Sequence, residues 1–161
     1  MEKTRVRDAM SAPVVCVPPD CTVPAAVTLM RQHRLRHLPV VQDGQLIGIV
    51  SRGDLREASS KEAINADNYE INFMLNRLKL ADIMTRKVLT ITPEAFIVDA
   101  VELMVENQVA GLPVIGKDGA VIGIITESDL MRLLLVKLKK NGAAVAQQGP
   151  ANGDGGASPE A

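Results

Sequence analysis

The sequence predicts a mixed α/β (α+β) fold built from two copies of one unit, ordered strand, helix, strand, strand, helix. The first observation is an internal repeat, because residues 6–56 and 80–131 match at an offset of 74, which becomes 75 near Lys117. The second is a helical spacing of apolar residues in each copy. The third is a hairpin pattern, Asp-Gly between two apolar runs, which also occurs twice.

The first strand and the first helix of the unit follow from a short apolar run and a cap. In copy one, Val14–Val17 is β-branched and is ended by Pro18 and Pro19, and Thr22 then offers an N-cap. In copy two, Phe96 replaces that capping threonine. Apolar residues then follow i, i+3, i+4, i+7 spacing at Val23, Ala26, Val27 and Met30, and again at Ile97, Ala100, Val101 and Met104.

The remaining strands and the second helix follow from the hairpin pattern. Copy one predicts strands over His37–Val41 and Leu46–Ser51, and copy two predicts them over Gly111–Ile115 and Val121–Thr126. We expect Asp54 and Asp129 to open the second helix of each unit, in its first turn.

These elements divide the chain into repeat one over 6–58, a helical linker over 59–79, repeat two over 80–140 and a disordered tail over 141–161. The linker places Tyr69 and Phe73 one helical turn apart, which fits either packing on the core or a self-association surface. The tail is rich in Gly, Ala and Pro, so it lacks the apolar surface needed for order.

Composition excludes several classes of function. Apolar residues make up 47% of the chain, which is enough for a core, but the net charge is −1 and aromatic residues make up 2%. Nucleic-acid surfaces need clustered Lys/Arg and often stacking rings, so we expect no nucleic-acid partner. No apolar run approaches a membrane span, and residues 1–10 lack a secretory pattern. We therefore expect no membrane partner, a cytoplasmic location and reduced thiols at Cys16 and Cys21.

One pattern that occurs in both copies has residues suited to ligand binding. It consists of glycine, two β-branched residues, a hydroxyl residue, two variable residues and aspartate, at 48–54 and 123–129. A hydroxyl at a strand end can donate to a phosphate, and the aspartate can accept from the two hydroxyls of a ribose. A helix N-terminus also offers free N–H groups to an anion. The same spacing equally describes a helix cap, which would also recur in a repeat.

The combined motifs resemble a pair of CBS domains (the cystathionine β-synthase domain family), also called a Bateman module. The resemblance covers 6–133 and includes Asp8–Met10, Asp82–Met84, Leu38–Val40 and Leu112–Val114, besides both glycine-to-aspartate segments. It implies two β-α-β-β-α units packed through their sheets about a pseudo-twofold axis. It also implies regulatory binding of AMP, ADP, ATP or S-adenosylmethionine. The linker and the helix over 131–140 are further similar to acetoin-utilisation-type CBS proteins of bacteria.

In such modules, a cleft combines the Ser/Thr-x-x-Asp of one repeat with the first strand and the pre-proline segment of the other. One expected ligand cleft therefore contains Thr126 and Asp129 with Val17, Arg36, His37, Leu38 and Pro39. The other contains Ser51, Arg52 and Asp54 with Thr90, Ile91, Gly111, Leu112 and Pro113. We prefer the Asp129 cleft for a phosphorylated ligand, because Arg36 and His37 are matched by uncharged Ala110 and Gly111 in copy two.

The sequence gives less support to two other kinds of site. The spacing of Cys16, Cys21, His33 and His37 is close to that of a zinc site, but copy two has Thr90, Ala95, Asn107 and Gly111 there. The shared fold therefore needs no metal. Neither a nucleophile–His–acid set nor a P-loop is present, so we expect no enzyme activity and no required cofactor. Asp8 and Asp82 are expected to cap or brace the entry turns.

The sequence therefore predicts a regulatory CBS-pair protein that binds an adenosyl ligand, forms a homodimer and signals to a regulated protein of unknown identity. The alternative is a ligand-free dimerisation and interaction scaffold. Adenosine recognition is common to all the ligands named, so the sequence does not choose among them.

Overall fold

The computed structural model describes residues 3–63 and 76–146. A 3-10 turn at Val6–Asp8 precedes every other element. The elements that follow are α1 (Val23–Gln32), β1 (His37–Gln42), β2 (Gln45–Ser51), α2 (Arg52–Ala63), α3 (Leu80–Ile83), α4 (Ile97–Asn107), β3 (Gly111–Ile115), β4 (Val121–Thr126) and α5 (Glu127–Ala146). The predicted mixed α+β class is confirmed.

The two hairpins lie where the sequence predicts them, and their turns explain the one-residue insertion. In repeat one, Asp43 and Gly44 have φ values of 50° and 77°, so a two-residue turn joins β1 to β2. In repeat two, the backbone N–H of Gly116 donates to Ala120 O at 2.8 Å, and Gly119 has φ 84°. The longer connection between β3 and β4 therefore accommodates the extra residue.

The predicted first strand of each unit is only a single parallel bridge. Val17 pairs with Val40, and Ile91 pairs with Val114. The N–H of Val17 donates to Pro39 O at 3.0 Å, and its carbonyl accepts from Val41 N at 2.9 Å. The next N–H directed at β1 would come from residue 19, two positions on, and Pro19 has none, so pairing stops after one residue. The prediction of a strand over Val14–Val17 is therefore wrong in extent.

The N-terminal segment of each repeat, 6–11 in repeat one and 80–85 in repeat two, is exchanged, because it packs against the core of the other repeat. Val6 is fully buried among the core residues of repeat two, and its N–H donates to Ala95 O at 2.9 Å. Leu80 is fully buried in the core of repeat one, and its N–H donates to Cys21 O at 2.9 Å. This reciprocal exchange is what a pseudo-twofold relation between the units requires, and it ties the two cores into one folding unit.

The exchanged segments also add a residue to each hairpin. Ser11 pairs with Ile124 of β4, and Thr85 pairs with Ile49 of β2. Each of these pairings is closed by two backbone hydrogen bonds of 2.8 to 3.0 Å. Ser11 is thereby brought beside the start of α5, and Thr85 is brought beside the start of α2.

Acidic side chains cap the short turns and helices. The N–H of Arg5 donates to Asp8 Oδ2 and that of Lys79 donates to Asp82 Oδ2, both at 3.0 Å, so the bracing role predicted for both aspartates is confirmed. Thr22 Oγ1 accepts from Ala25 N at 3.4 Å, as predicted for the α1 cap. At the α4 start, Phe96 has no side-chain acceptor, and Asp99 Oδ2 accepts from Phe96 N at 2.8 Å instead.

Two predicted boundaries differ from the structure or lie outside it. Helix α5 continues to Ala146, beyond the tail boundary predicted at Asn141, because three of the six residues over 141–146 are alanine, which has the highest helix propensity. The predictions about Tyr69 and Phe73 fall in 64–75, and the rest of the predicted tail falls in 147–161, both outside the described residues. None of the helices in the described ranges combines the length and the apolar character of a membrane span.

Candidate functional site

Two clefts of unequal size lie where the repeats meet. The cleft that contains Asp54 encloses about 620 Å³, whereas the cleft that contains Thr126 encloses about 140 Å³. Small-molecule sites in proteins typically enclose about 300–1,000 Å³. Only the first of these two clefts has room for a nucleoside in this conformation.

The carboxylate of Asp129 is fully engaged by the protein itself. Its Oδ2 accepts from Thr126 N at 2.8 Å and from Thr126 Oγ1 at 2.7 Å. Its Oδ1 accepts from Ser11 Oγ at 3.0 Å and from the Arg132 guanidinium at 2.9 Å. Asp129 is 4% exposed, so four donors surround a buried carboxylate, and a ribose would have to displace some of them.

The carboxylate of Asp54 is open by comparison. Its Oδ2 accepts from Ser51 N at 2.6 Å, and Ser51 Oγ in turn accepts from Asp54 N at 3.1 Å. This is the reciprocal cap that the Ser-x-x-Asp spacing allows. Among the described residues nothing donates to Oδ1, and Asp54 lines the large cleft. One oxygen therefore caps the helix while the other can accept from a ligand.

The residue that matches Arg132 explains this difference. It is Glu57 in repeat one, which carries the opposite charge and supplies no donor to Asp54. Ser11 is likewise matched by Thr85, which lines the Asp54 cleft without an observed bond to its carboxylate. The two clefts therefore differ because of residues outside the shared motif.

A cation lines each cleft, but at different positions. Arg36 lines the small cleft, as the sequence predicts. Lys87 lines the large cleft, where the matching residue of repeat one is Pro13. Lys87 is exposed, so its ammonium can meet a phosphate without prior desolvation.

His37 lines both clefts and lies at the seam between them. Its Nδ1 is buried and has no hydrogen-bond partner in the described part of the chain. Burial lowers the pKa of His37 below its ordinary value, more than Asp54 and Glu127 raise it, and Arg36 lowers it further. The imidazole is therefore neutral at pH 7 and can accept or donate one hydrogen bond.

The structure brings together only part of the predicted Asp129 cleft. Thr126, Arg36 and His37 line it, and Asp129 lies buried behind Thr126. Val17 and Leu38 belong to the hydrophobic core of repeat one, and Pro39 is also fully buried. These three side chains form no slot that opens into the cleft.

The predicted Asp54 cleft is likewise assembled in part. Ser51, Asp54 and Gly111 line it. Arg52 lies instead on a groove between α1 and α2. Exposed Thr90 does not line the cleft, and three other predicted members are buried behind it: Ile91, Leu112 and Pro113.

Sequence reasoning missed most of the wall of the large cleft. The missed residues come from β2, from the chain between α3 and α4, and from the end of α4 with the turn that follows it: Ile49, Thr85, Lys87, Val88, Leu89, Asn107, Gln108, Val109 and Ala110. The difference between Lys87 and Pro13 in the aligned repeats is the one pattern that could have indicated a cation there.

The Cys16, Cys21, His33 and His37 spacing does not form a zinc site in the described residues. Across residues 3–63 and 76–146, no three His, Cys, Asp or Glu side chains are grouped to hold a metal ion. Burial raises the pKa of the Cys16 and Cys21 thiols, and Asp20 adds to the effect at Cys21. Both thiols are therefore protonated at neutral pH and are weak metal ligands.

Comparison with known proteins agrees with this architecture. The family model described as CBS domain matches residues 6–61 and 80–136. A CBS domain-containing protein of Dictyostelium discoideum is 34% identical over 138 residues, which cover 85% of this chain and 95% of that protein.

Similar solved structures include two with bound adenosine compounds. The CBS domain pair of protein MJ0100, in complex with 5'-methylthioadenosine and S-adenosyl-L-methionine, has a TM-score of 0.70 at 27% identity, covering 83% of this chain and 98% of that one. CBSX2 in complex with AMP has a TM-score of 0.67 at 29% identity, covering 84% and 98%. A Vibrio cholerae structure that bears the name acetoin utilization protein (AcuB) has a TM-score of 0.70 at 26% identity. The match covers 86% of this chain and 96% of that one. The chain therefore belongs to the CBS domain family and contains a tandem pair of CBS repeats.

Proposed function

We propose that this CBS pair binds one adenosine-containing regulatory ligand per chain, in the Asp54 cleft. The observation that carries the proposal is Oδ1 of Asp54, which accepts from no residue in 3–63 or 76–146 and lies in a cleft of about 620 Å³, against the engaged carboxylate of Asp129 beside a cleft of about 140 Å³. This preference is the reverse of the one drawn from the sequence, which favoured the Asp129 cleft because Arg36 lies beside it. The larger volume of the Asp54 cleft and the open oxygen of Asp54 outweigh the position of Arg36.

The cleft offers a partner for each part of a nucleotide. Ile49, Val88 and Val109 are apolar wall residues that can hold an adenine ring. Asp54 can accept from the ribose hydroxyls, as the Ser-x-x-Asp motif suggests. Lys87 can attract a phosphate or a carboxylate.

The binding of adenosine compounds by related CBS pairs supports this ligand class. MJ0100 is described with S-adenosyl-L-methionine and methylthioadenosine, and CBSX2 with AMP. For this chain, the ligand has a regulatory role, in which it shifts the protein between conformations that a partner distinguishes. The protein acts by binding and not by catalysis, and it works as a homodimer in the cytoplasm.

A thermal-shift panel of AMP, ADP, ATP, NADH and S-adenosylmethionine tests the proposal. A compound at 100 times its dissociation constant should stabilise the folded protein by about 2.7 kcal/mol. Absence of any shift across the panel would instead favour the alternative function, a ligand-free dimerisation scaffold.

A further inference from the structure

Three of the side chains that line the small cleft also donate to Asp129. They are Ser11, Thr126 and Arg132, and their donor atoms lie 2.7 to 3.0 Å from the carboxylate oxygens. Asp129 itself does not line the cleft and is 4% exposed. The three side chains therefore lie between the open space of the cleft and the carboxylate that the shared motif offers to a ribose.

These donors fill the accepting capacity of the carboxylate. An ionised carboxylate has about four lone-pair sites. The N–H and the hydroxyl of Thr126 share Oδ2, and they form the cap of α5. Ser11 Oγ and the Arg132 guanidinium share Oδ1. A ribose hydroxyl that approaches Asp129 would therefore have to replace one of the two donors on Oδ1.

Arg132 is the donor that differs most between the repeats. It lies three residues after Asp129 on α5, and Glu57 lies three residues after Asp54 on α2, with both side chains exposed. An ionised carboxylate has no hydrogen to donate, so Glu57 cannot occupy Oδ1 of Asp54 in this way. Ser11 differs less, because the matching Thr85 also carries a hydroxyl.

Arg132 reaches its partner from solvent. Its side chain is 71% exposed, whereas the side chain of Asp129 is 2% exposed. Replacing Arg132 therefore removes no part of the hydrophobic core. Because this side chain also lines the small cleft, its removal would both free a lone pair on Oδ1 and enlarge the cleft.

We propose that Arg132 determines which cleft binds the ligand, a role that rests on the function proposed above. Its guanidinium occupies the ribose acceptor of the small cleft and thereby suppresses a second adenosine site in each chain. Arg132 acts through Asp129 and does not itself contact the ligand in the Asp54 cleft. A difference of one side chain, arginine against glutamate, thus makes two related clefts unequal in binding.

A purely structural role for Arg132 explains less. The cap of α5 is complete without it, since both bonds from Thr126 go to Oδ2 of Asp129. Helix α2 begins with the corresponding cap between Ser51 and Asp54, and it has no arginine three residues later. An exposed ion pair at i, i+3 also contributes little to the stability of a helix.

Isothermal titration calorimetry of the full-length chain with 5'-methylthioadenosine tests this role. The probe has no phosphate, so the loss of an arginine charge does not act on a ligand anion. The wild type should bind one equivalent per chain, and Arg132→Ala should bind two. Adding Ser11→Ala to Arg132→Ala should tighten the second site about fivefold, because it frees the other lone pair of Oδ1. Arg132→Lys keeps a cationic donor and should bind one equivalent.

The reciprocal variant Glu57→Arg tests the same rule in the large cleft. An arginine at this position should reach Oδ1 of Asp54 as Arg132 reaches that of Asp129, and should weaken binding of the probe about fivefold. Lys140→Ala, on an exposed part of α5, is the control and should bind like the wild type. Circular dichroism establishes that each variant is folded.

The outcomes separate this inference from the function on which it rests. One equivalent for both the wild type and Arg132→Ala would overturn the role of Arg132 and leave the proposed function intact. No binding by the wild type, with one equivalent for Arg132→Ala, would support the role of Arg132 and contradict binding in the Asp54 cleft. Two equivalents in the wild type, or unchanged affinity in Glu57→Arg, would also overturn the role of Arg132.

Discussion

Nδ1 of His37 lies 3.3 Å from the point that a Cβ atom would occupy on Gly111. These two residues match in the repeat, so the seam between the units has one imidazole on one side and no side chain on the other. A second large side chain at Gly111 would crowd this ring. The seam is therefore asymmetric although the backbone around it is repeated.

This burial predicts a pH dependence of stability. The folded-state pKa of His37 lies below its ordinary value of 6.5, so the unfolded chain binds this proton more readily than the folded protein does. The free energy of unfolding should hold its value above pH 6.5 and should fall as the pH drops through 6.5 toward the lower folded-state pKa. Urea unfolding between pH 8 and pH 5 measures this slope.

His37→Gln should remove part of that acid sensitivity. The matched control is His33→Gln, which changes the other histidine of the chain, exposed at the end of α1. If the two variants gave the same slope as the wild type, His37 would not be the group that titrates.

Lys87 should contribute more to the binding affinity of ligands with a phosphate than to that of ligands without one. Lys87→Ala should weaken AMP binding about fivefold, since the contact is a solvent-exposed charge pair. Binding of 5'-methylthioadenosine, which has no phosphate, should be unchanged. Calorimetric titration of both ligands measures the difference, and Lys117→Ala on the β3–β4 connection serves as the control. An equal loss for both ligands would contradict a phosphate contact.

Met10 and Met84 pack so closely against Gly123 and Gly48 that a side chain at either glycine should be destabilising. A Cβ on Gly123 would lie 2.7 Å from Met10 Sδ, and one on Gly48 would collide with Met84 Sδ. Gly48→Ala should therefore destabilise the protein by about 1–3 kcal/mol, as overpacking does. Denaturant unfolding measures the loss, and Met84→Ala in the same chain should reduce the additional cost of Gly48→Ala. Full additivity of the two changes would show that they do not touch.

Much of the fold follows from local patterns. The strands β3 and β4 begin and end where the apolar runs do, since Asp-Gly turns fix a hairpin locally. The first strands could not be predicted correctly, because Val17 and Ile91 depend on partners far along the chain and on the prolines that follow. The alignment of the two repeats also does not predict that Val6 packs in the core of repeat two and Leu80 in the core of repeat one. An alignment shows which residues are similar, but not which core each residue joins.

The sequence predicts where the two candidate clefts lie, but it does not predict how they differ. The Ser/Thr-x-x-Asp motifs identify the two helix starts, and both lie beside clefts. The difference between the clefts depends on Arg132 and Ser11, whose contacts with Asp129 need the three-dimensional arrangement. A motif shared by both repeats cannot indicate which copy is open.

Asp54 and Asp129 give the most direct test of the central claim, that a ligand binds beside the open carboxylate. Asp54→Ala should weaken the ligand found in the thermal-shift panel by about 1.5–3 kcal/mol, or about 10- to 150-fold, with one site per chain in the wild type. Asp129→Ala should chiefly lower stability, because it leaves four donors without their acceptor. Titration calorimetry of both variants should therefore show the larger loss of affinity for Asp54→Ala. A larger loss for Asp129→Ala, or equal curves for Asp54→Ala and the wild type, would contradict the account.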